Sequence, residues 1–481
     1  MLERDSPSLK FNMVLNAVFK LSSLLFPLIT FPYVSRVLLP EGVGKVTFAL
    51  SVVSYFSMFT QMGIPTYGVR ACAKVRDDRL ELTRTVQELL VINIGCCILV
   101  YLVYASAVIL VPRFQEEKAL YVVLGLSIGF NAIGAEWLYN AMEKYRYIAI
   151  RSVLFQVVAL VLMFLLIRAQ EDYVFYGALL ILATSASYVL NFLNLRKYID
   201  FRPVGGYRVT RHLRPILIFF ALSVATTIYT NLDNVMLGFM KDDVAVGLYS
   251  TAVKVKSLLV ALVTSASAVL LPRASYYVDK GKMEEFYWIL KQMMHLILEI
   301  SLPMALYFMI FAREGVIFLA GSAFAGAVLP MRVIMPTLVL IGMTNVIGIQ
   351  MLVPLGREKA VLRSVVAGAV VDVVLNIILI PQFSALGAAI GTLVAEMTVL
   401  MVQLLAIRSI PVRIFSETTI WKLVVAMALA TAASIWSLFV IDGVLISLLV
   451  SAVCFFGTYG VSLVLLKEPL LIRMLSGIRH H

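Results

Sequence analysis

The chain has 481 residues, of which 61% are apolar and only 14% charged, with a mean hydropathy of +0.95. That composition excludes a soluble globular protein of this length and indicates a polytopic membrane protein. The formal charge of +12 has to be sorted by membrane side before any acidic partner is invoked.

Apolar runs of about 20 residues predict fourteen spans, the first near 12–36 and the last near 444–466. Backbone groups in hydrocarbon must be satisfied within the segment, so each span is a helix. No short apolar stretch with a small-residue cleavage site precedes the first span, which is therefore expected to remain as an uncleaved anchor. Most of the 40 lysines and arginines fall in the amino terminus, the loops after even-numbered spans and the carboxyl terminus. This bias places both termini in the cytoplasm. The run Arg196, Lys197, Arg202, Arg208, Arg211 and Arg214 is then a topology signal, and no nucleic-acid partner is expected. Cys72, Cys96, Cys97 and Cys454 have no metal-ligand spacing, so neither zinc nor a disulfide is indicated. His480 and His481, at the end of the chain, are given no role.

An internal repeat is legible. Ser35-Arg36-Val37-Leu38-Leu39 ends span one and Gly44 opens span two, with Ala49 five residues on. Asp233-Asn234-Val235-Met236-Leu237 lies towards the end of span seven and Gly247 opens span eight, with Ala252 five residues on. The offset covers an even number of spans, so the repeat is parallel, with its axis along the membrane normal. The expected fold is all-α: two six-helix bundles in parallel pseudo-two-fold repeat, at 1–200 and 201–407, with two additional transmembrane helices and a cytoplasmic tail at 408–481.

Polar residues at membrane depth carry the functional reading. On span one, Asn12, Asn16 and Lys20 follow at four-residue intervals, as one stripe facing a lumen or as a lysine snorkelling to the headgroups. Arg36 and Arg332 sit near the outer ends of their spans, where a helix-end anchor competes with a substrate contact. Span seven carries Ser223, Thr226, Thr230 and Asn234 at helical spacing, with Asp233 beside them. Lys254 and Lys256 fall about 16 and 20 Å along span eight, near mid-bilayer. A charge there costs roughly 2.5–3.5 kcal/mol and normally faces a bundle interior or a watered cavity. The two lysines are about 200° apart around the helix, so Lys254 is expected inward and Lys256 in a packing or pairing role. Together these residues imply a transport pathway. Asp233, Glu299, Asp372 and Glu396 are within spans, with Asn376 one turn beyond Asp372 and His295 four residues before Glu299. They suit either ion coupling, to a proton or sodium gradient, or internal pairing with a buried lysine. Gly387 and Gly391 form a small-residue packing face.

Phe31-Pro32-Tyr33-Val34-Ser35-Arg36-Val37-Leu38, followed by Pro40-Glu41-Gly42-Val43-Gly44, resembles the opening signature of the bacterial polysaccharide flippases. These form the O-antigen and exopolysaccharide branch of the superfamily that includes multidrug and lipid II exporters. Glu136-Trp137-Leu138-Tyr139, Glu143-Lys144-Tyr145, Asp233-Asn234-Val235-Met236-Leu237-Gly238 and Gly247-Leu248-Tyr249-Ser250 are similar to further stations. So are Pro354-Leu355-Gly356-Arg357-Glu358-Lys359 and Gly387-Ala388-Ala389-Ile390-Gly391-Thr392. The resemblance implies a non-enzymatic, cofactor-free transporter of the bacterial inner membrane. Such a protein would move undecaprenyl-diphosphate-linked oligosaccharide from the cytoplasmic to the periplasmic leaflet by alternating access. It further implies a cationic central cavity, with Lys254 where the lipid II branch has an arginine, and work alongside a polysaccharide polymerase and a chain-length regulator. Two rival readings are a multidrug or cation exporter of the same superfamily, which would favour an acidic or apolar cavity, and a membrane glycan polymerase, which would need a larger external region.

Overall fold

The computed structural model of the protein describes residues 9–268, 271–408, 417–441 and 443–468. Among these residues there are helices and no strands, as hydrocarbon demands of spanning segments other than closed barrels. Twelve helices are long and apolar enough to cross a membrane, or thirteen if the bent pair Ser322–Ile334 and Thr337–Leu352 is one span. The fourteen spans expected from the sequence differ from this number at one place. The first two expected spans share one helix, α1 (Leu9–Gln61), broken at Leu39 (φ 59°, ψ 176°). At 53 residues α1 would reach about 80 Å if straight, far beyond a hydrocarbon core of roughly 30 Å. Pro40 sets the break, because proline disfavours helical geometry in the residue before it.

The chain divides into two compact units, Met1–Gly247 and Leu248–His481. The first holds α1, α2 (Ile64–Lys74), α3 (Arg79–Leu110), α4 (Pro112–Gln115), α5 (Lys118–Ile133), α6 (Glu136–Ala141) and α7 (Tyr145–Leu166). It continues through α8 (Tyr173–Ile181), α9 (Tyr188–Asn194) and α10 (Thr210–Met240) to the first turn of α11 (Asp243–Ala268). Between α8 and α9 the chain winds as a π-helix over Leu182–Ala186. Helix α3 starts on Asp78, whose carboxylate accepts the N–H groups of Leu80 and Glu81 at 2.9 and 3.1 Å, the N-cap arrangement that satisfies orphan donors. Its outward face, with Leu102 64% and Leu110 74% exposed, is the apolar surface a lipid-facing helix presents.

The repeat seen in the sequence reappears as a reciprocal contact within this unit. A Cβ on Gly44 would overlap the carbonyl oxygen of Asp243, and one on Gly247 would overlap that of Pro40. Each glycine therefore meets the backbone of the residue four before the other, the self-complementary geometry of a two-fold contact. Ion pairs fix the same end of the unit. Arg113 reaches Asp243 at 2.6 Å, and Lys45 reaches Glu117 at 2.9 Å and Glu41 at 3.1 Å. The Tyr173 hydroxyl donates to Glu117.

At the other end of α3 a fully buried carboxylate, Glu88, gathers the start of α10. It accepts the Arg208 backbone N–H, the Arg211 guanidinium at 2.8 Å and His212 Nε2 at 2.6 Å. The second ring nitrogen of His212 bonds the Tyr67 hydroxyl at 2.7 Å, which ties α2 into the same cluster. The connection before α10 is strapped to α3 as well, since the Gln87 amide donates to the carbonyls of Asp200 and Arg202 at 2.7 and 3.0 Å.

The second unit comprises the rest of α11, α12 (Leu271–Asp279), α13 (Met283–Ile310), α14 (Ala312–Ala320), α15 (Val328–Ile334) and α16 (Thr337–Thr344). It ends with α17 (Glu358–Phe383), α18 (Ala385–Ile407), α19 (Glu417–Ile435), α20 (Ser437–Val440) and α21 (Val444–Leu465). Helices α17 and α18 approach closely through small residues, with Gly387 against the Leu379 carbonyl and Gly391 against the side chain of Asn376, the packing role read from their spacing. The α19–α21 pair seats on α13 through a cluster that includes Tyr307, Phe311, Ala426 and Phe455. The Tyr307 hydroxyl also meets Ser451 Oγ at 2.9 Å.

Two outcomes test this packing. Gly44→Ala is expected to destabilise the detergent-solubilised protein by about 1–3 kcal/mol, the usual cost of overpacking, and an unchanged melting midpoint would show that the two backbones do not touch. Glu88→Ala is expected to cost about 1–3 kcal/mol, since it leaves buried donors unmet. Removing the half-exposed Glu41 should change stability by at most about 1 kcal/mol, and equal losses from the two would remove the distinction drawn here.

Candidate functional site

Within the first unit the helices leave a cavity of about 600 Å³, in the range of small-molecule sites. Helical spacing explains its wall. Ser54, Ser57 and Gln61 share one face of α1, Ser127 and Asn131 one face of α5, and Ser223, Thr227 and Asn231 one face of α10, because residues three and four apart are neighbours on a helix. Thr184 and Ser185 come from the π-helical stretch. The α10 lining runs through the middle third of a 31-residue helix, hence at hydrocarbon depth.

Among the described residues nineteen line the cavity, of which twelve carry a hydroxyl or an amide and none is Asp, Glu, Lys, Arg or His. Leu50, Val53, Met58, Ile181 and Phe219 add an apolar strip. At the α2 end of the cavity Gly63 adopts φ 76° and lies against the backbone of Phe219 and Phe220, where a side chain would clash. Thr66 lines the cavity beside it, and the next residue, Tyr67, belongs to the Glu88–His212 cluster. The cavity offers hydrogen bonds and apolar contact, and no nucleophile–base pair or metal ligand set.

The residues expected from sequence are distributed more widely. Asn12, Asn16 and Lys20 lie in a part of α1 whose side chains are outside the described residues. Arg36 is exposed and donates to the Pro32 carbonyl of its own helix. Thr230 and Asn234 do not line the cavity. Thr230 is exposed and donates to the Thr226 carbonyl at 2.9 Å, and α10 turns Thr227 and Asn231 to the cavity instead. Asp233 is buried on α10. In the second unit Lys254 and Lys256 are half-buried on α11 and Arg332 is exposed on α15. Asp372 and Glu396 are buried on α17 and α18.

His295 and Glu299 do not pair side chain to side chain. His295 Nε2 reaches Glu468 at 2.9 Å, and the Tyr459 hydroxyl donates to the Glu299 backbone carbonyl at 2.8 Å. Both residues therefore help to fasten α21 and its end to α13. Of the cationic residues that the resemblance implies, Arg36, Arg332, Lys254 and Lys256 are not among the described residues lining this cavity, and the Lys20 side chain lies outside the described residues.

Sequence reasoning passed over Ser54, Ser57, Gln61 and Asn131, although their spacing on spans two and four was readable. It also missed Glu88 and His212, which are 124 residues apart and carry no local signature.

Comparisons with known proteins agree with this architecture. A family described as polysaccharide biosynthesis protein matches residues 9–278. A protein of Escherichia coli (strain K12), provisionally named an O-antigen transporter, is 25% identical over 84% of this chain and 97% of its own length. A similarly named protein of Shigella dysenteriae is 22% identical over 80% and 96%. Among solved structures, the lipid II flippase MurJ in an inward closed conformation superposes with a TM-score of 0.71 at 14% identity, covering 94% of this chain and all of that one. An inward-facing multidrug resistance transporter of the MATE family gives 0.60 at 16% identity, over 83% and 97%. Both share the fold. With the family match covering more than half of its length, the chain belongs to the polysaccharide biosynthesis protein family.

Proposed function

We propose that the protein is a flippase that carries an undecaprenyl-diphosphate-linked oligosaccharide repeat unit from the cytoplasmic to the periplasmic leaflet of the bacterial inner membrane by alternating access, with both termini in the cytoplasm. The observation that carries this reading is a cavity rich in hydroxyl and amide groups, placed along helices long and apolar enough to span a membrane. A sugar chain cannot cross hydrocarbon unaided, since each unmet hydroxyl costs several kcal/mol on transfer. A polar cavity at that depth replaces the lost water. The O-antigen names of the relatives and the MurJ-like fold support the same substrate class. A cationic-drug exporter would be better served by an acidic or purely apolar wall, which this cavity does not have.

The diphosphate carries about two negative charges, and each gains roughly 2.3 kcal/mol per 100 mV when moved outward across an inside-negative membrane. The potential alone therefore favours export. Lys254, at membrane depth on α11, suits a diphosphate as a point charge when protonated, and the buried acids Asp372 and Glu396 suit coupling to a cation gradient.

Purified protein in liposomes should translocate a lipid-diphosphate oligosaccharide between leaflets, faster with a potential of the favourable sign. Failure to move it, with transport of a cationic drug in the same vesicles, would replace this reading by the exporter. Lys254→Ala is expected to lower translocation about tenfold, the loss of one charge-assisted hydrogen bond, with folded protein undiminished. Wild-type rates would remove Lys254 from the mechanism.

A further inference from the structure

We propose that the first-unit cavity is a subsite selective for uncharged sugar, accepting hydroxyl-rich neutral residues and rejecting acidic ones. The inference rests on the flippase reading and adds a rule for which repeat units fit.

Four hydroxyls in the wall, from four different segments, each spend their only proton on a carbonyl of their own helix. Ser54 donates to Ser51 at 2.7 Å, Ser127 to Leu124 at 2.7 Å, Thr184 to Leu180 at 2.8 Å and Ser223 to Phe219 at 3.1 Å. A carbonyl oxygen can only accept, so the direction of these bonds is not in doubt. Each hydroxyl oxygen can then act towards a ligand only as an acceptor. The Asn231 amide behaves similarly, donating to the Thr227 carbonyl and to Thr230 Oγ1 at 3.2 and 2.9 Å and keeping its carbonyl oxygen as an acceptor. These five groups thus ask for a ligand that brings O–H or N–H donors.

A neutral sugar brings one donor on every hydroxyl and one on each acetamido group, and its C–H face fits the apolar strip that includes Phe219 and Met58. A carboxylate or phosphate brings acceptors alone. Among the described lining residues there is no lysine, arginine or histidine, so such a group would lose its hydration and meet no opposite charge in return. The nearby Arg211 and His212 do not change this balance, because both are held by Glu88. The anionic part of the substrate accordingly has no place in this cavity, and the glycan does.

The test separates binding from transport. Saturation-transfer NMR on the full chain in lipid nanodiscs would be run with a panel of neutral trisaccharides and with trigalacturonate, and liposome translocation with neutral and uronic acid-containing lipid-diphosphate oligosaccharides. We expect at least tenfold weaker binding and slower translocation for the acidic members. Ser54→Ala combined with Thr184→Val should weaken neutral sugar binding about tenfold at an unchanged melting midpoint. Thr184→Lys should create binding of trigalacturonate where wild type has none. Equal binding of neutral and acidic sugars, no binding of either, or no gain with Thr184→Lys would each overturn the subsite. Translocation of both lipid-linked substrates at one rate would do so too, while leaving the flippase reading intact. Selective sugar binding without any translocation would overturn the flippase reading and leave the subsite standing.

Discussion

An apolar solvent leaves no backbone N–H or C=O to be met by water, and that constraint organises this chain. Each long segment must be a helix, so side chains can be placed only by helical face. A polar cavity at membrane depth then requires several helices to turn matching faces inward at one level. That is what Ser54, Ser57 and Gln61 on α1, Ser127 and Asn131 on α5, and Ser223, Thr227 and Asn231 on α10 do. The one departure from α geometry in the wall is the π-helical stretch at Leu182–Ala186. Such bulges shift the register of a helix without leaving its hydrogen bonds unmade. Here the bulge delivers two adjacent hydroxyl residues, Thr184 and Ser185, to the cavity, which a regular helix would point about 100° apart.

The same constraint governs where charge sits. In the first unit the charges at the two ends of α3 are in pairs and clusters, Lys45 with Glu117 and Arg113 with Asp243 at one end, Glu88 with Arg211 and His212 at the other. Paired charges tie connections together because each desolvated group meets its partner, Glu88 accepting from Arg208, Arg211 and His212. A charge on the cavity wall would have no such compensation until a substrate arrived. Ser54, Ser127, Thr184 and Ser223, spent on their own helices, avoid that difficulty, because their donors are already satisfied.

How much of this was legible depends on the distance over which each feature is encoded. Spans are written in runs of about twenty apolar residues, and all but the division of α1 emerged as separate helices or as the bent pair. The α1 break itself was marked by Pro40, yet helical geometry runs on directly from that residue, so the loop expected between two spans is a single kinked position, Leu39. The repeat was legible from Gly44 and Gly247, and the structure supplies its physical reason, the reciprocal backbone contact. The cavity wall was half legible. Charged residues dominated the reading because their cost in lipid is large, whereas Ser54, Ser57 and Asn131 cost little and attract no notice singly. On α10, Ser223 and Thr226 of the expected stripe line the cavity, and Thr227 and Asn231, each one residue or about 100° on from Thr226 and Thr230, join them in place of Thr230 and Asn234. Partnerships such as Glu88 with His212 or His295 with Glu468 are not encoded locally at all, since only the fold brings those positions together.

For transport these features bear on different terms of one free energy. A lipid-linked oligosaccharide has three parts with conflicting solvents: a tail that prefers acyl chains, a diphosphate that prefers water or cations, and a glycan that needs many hydrogen bonds but no charge. A single wall complementary to all three is chemically inconsistent, because cations placed for the diphosphate would pull acidic groups into the space the glycan must occupy. Separating the requirements resolves the conflict. On the flippase reading, a wall whose described residues are uncharged would make the glycan's passage independent of the forces that act on its charged head. The membrane potential can then act on the diphosphate alone, and its contribution is set by charge and voltage. The sugar preference is set by how many hydroxyl protons of the ligand find an oxygen in the wall. On that reading two selectivities of different physical origin would be tuned by separate residues.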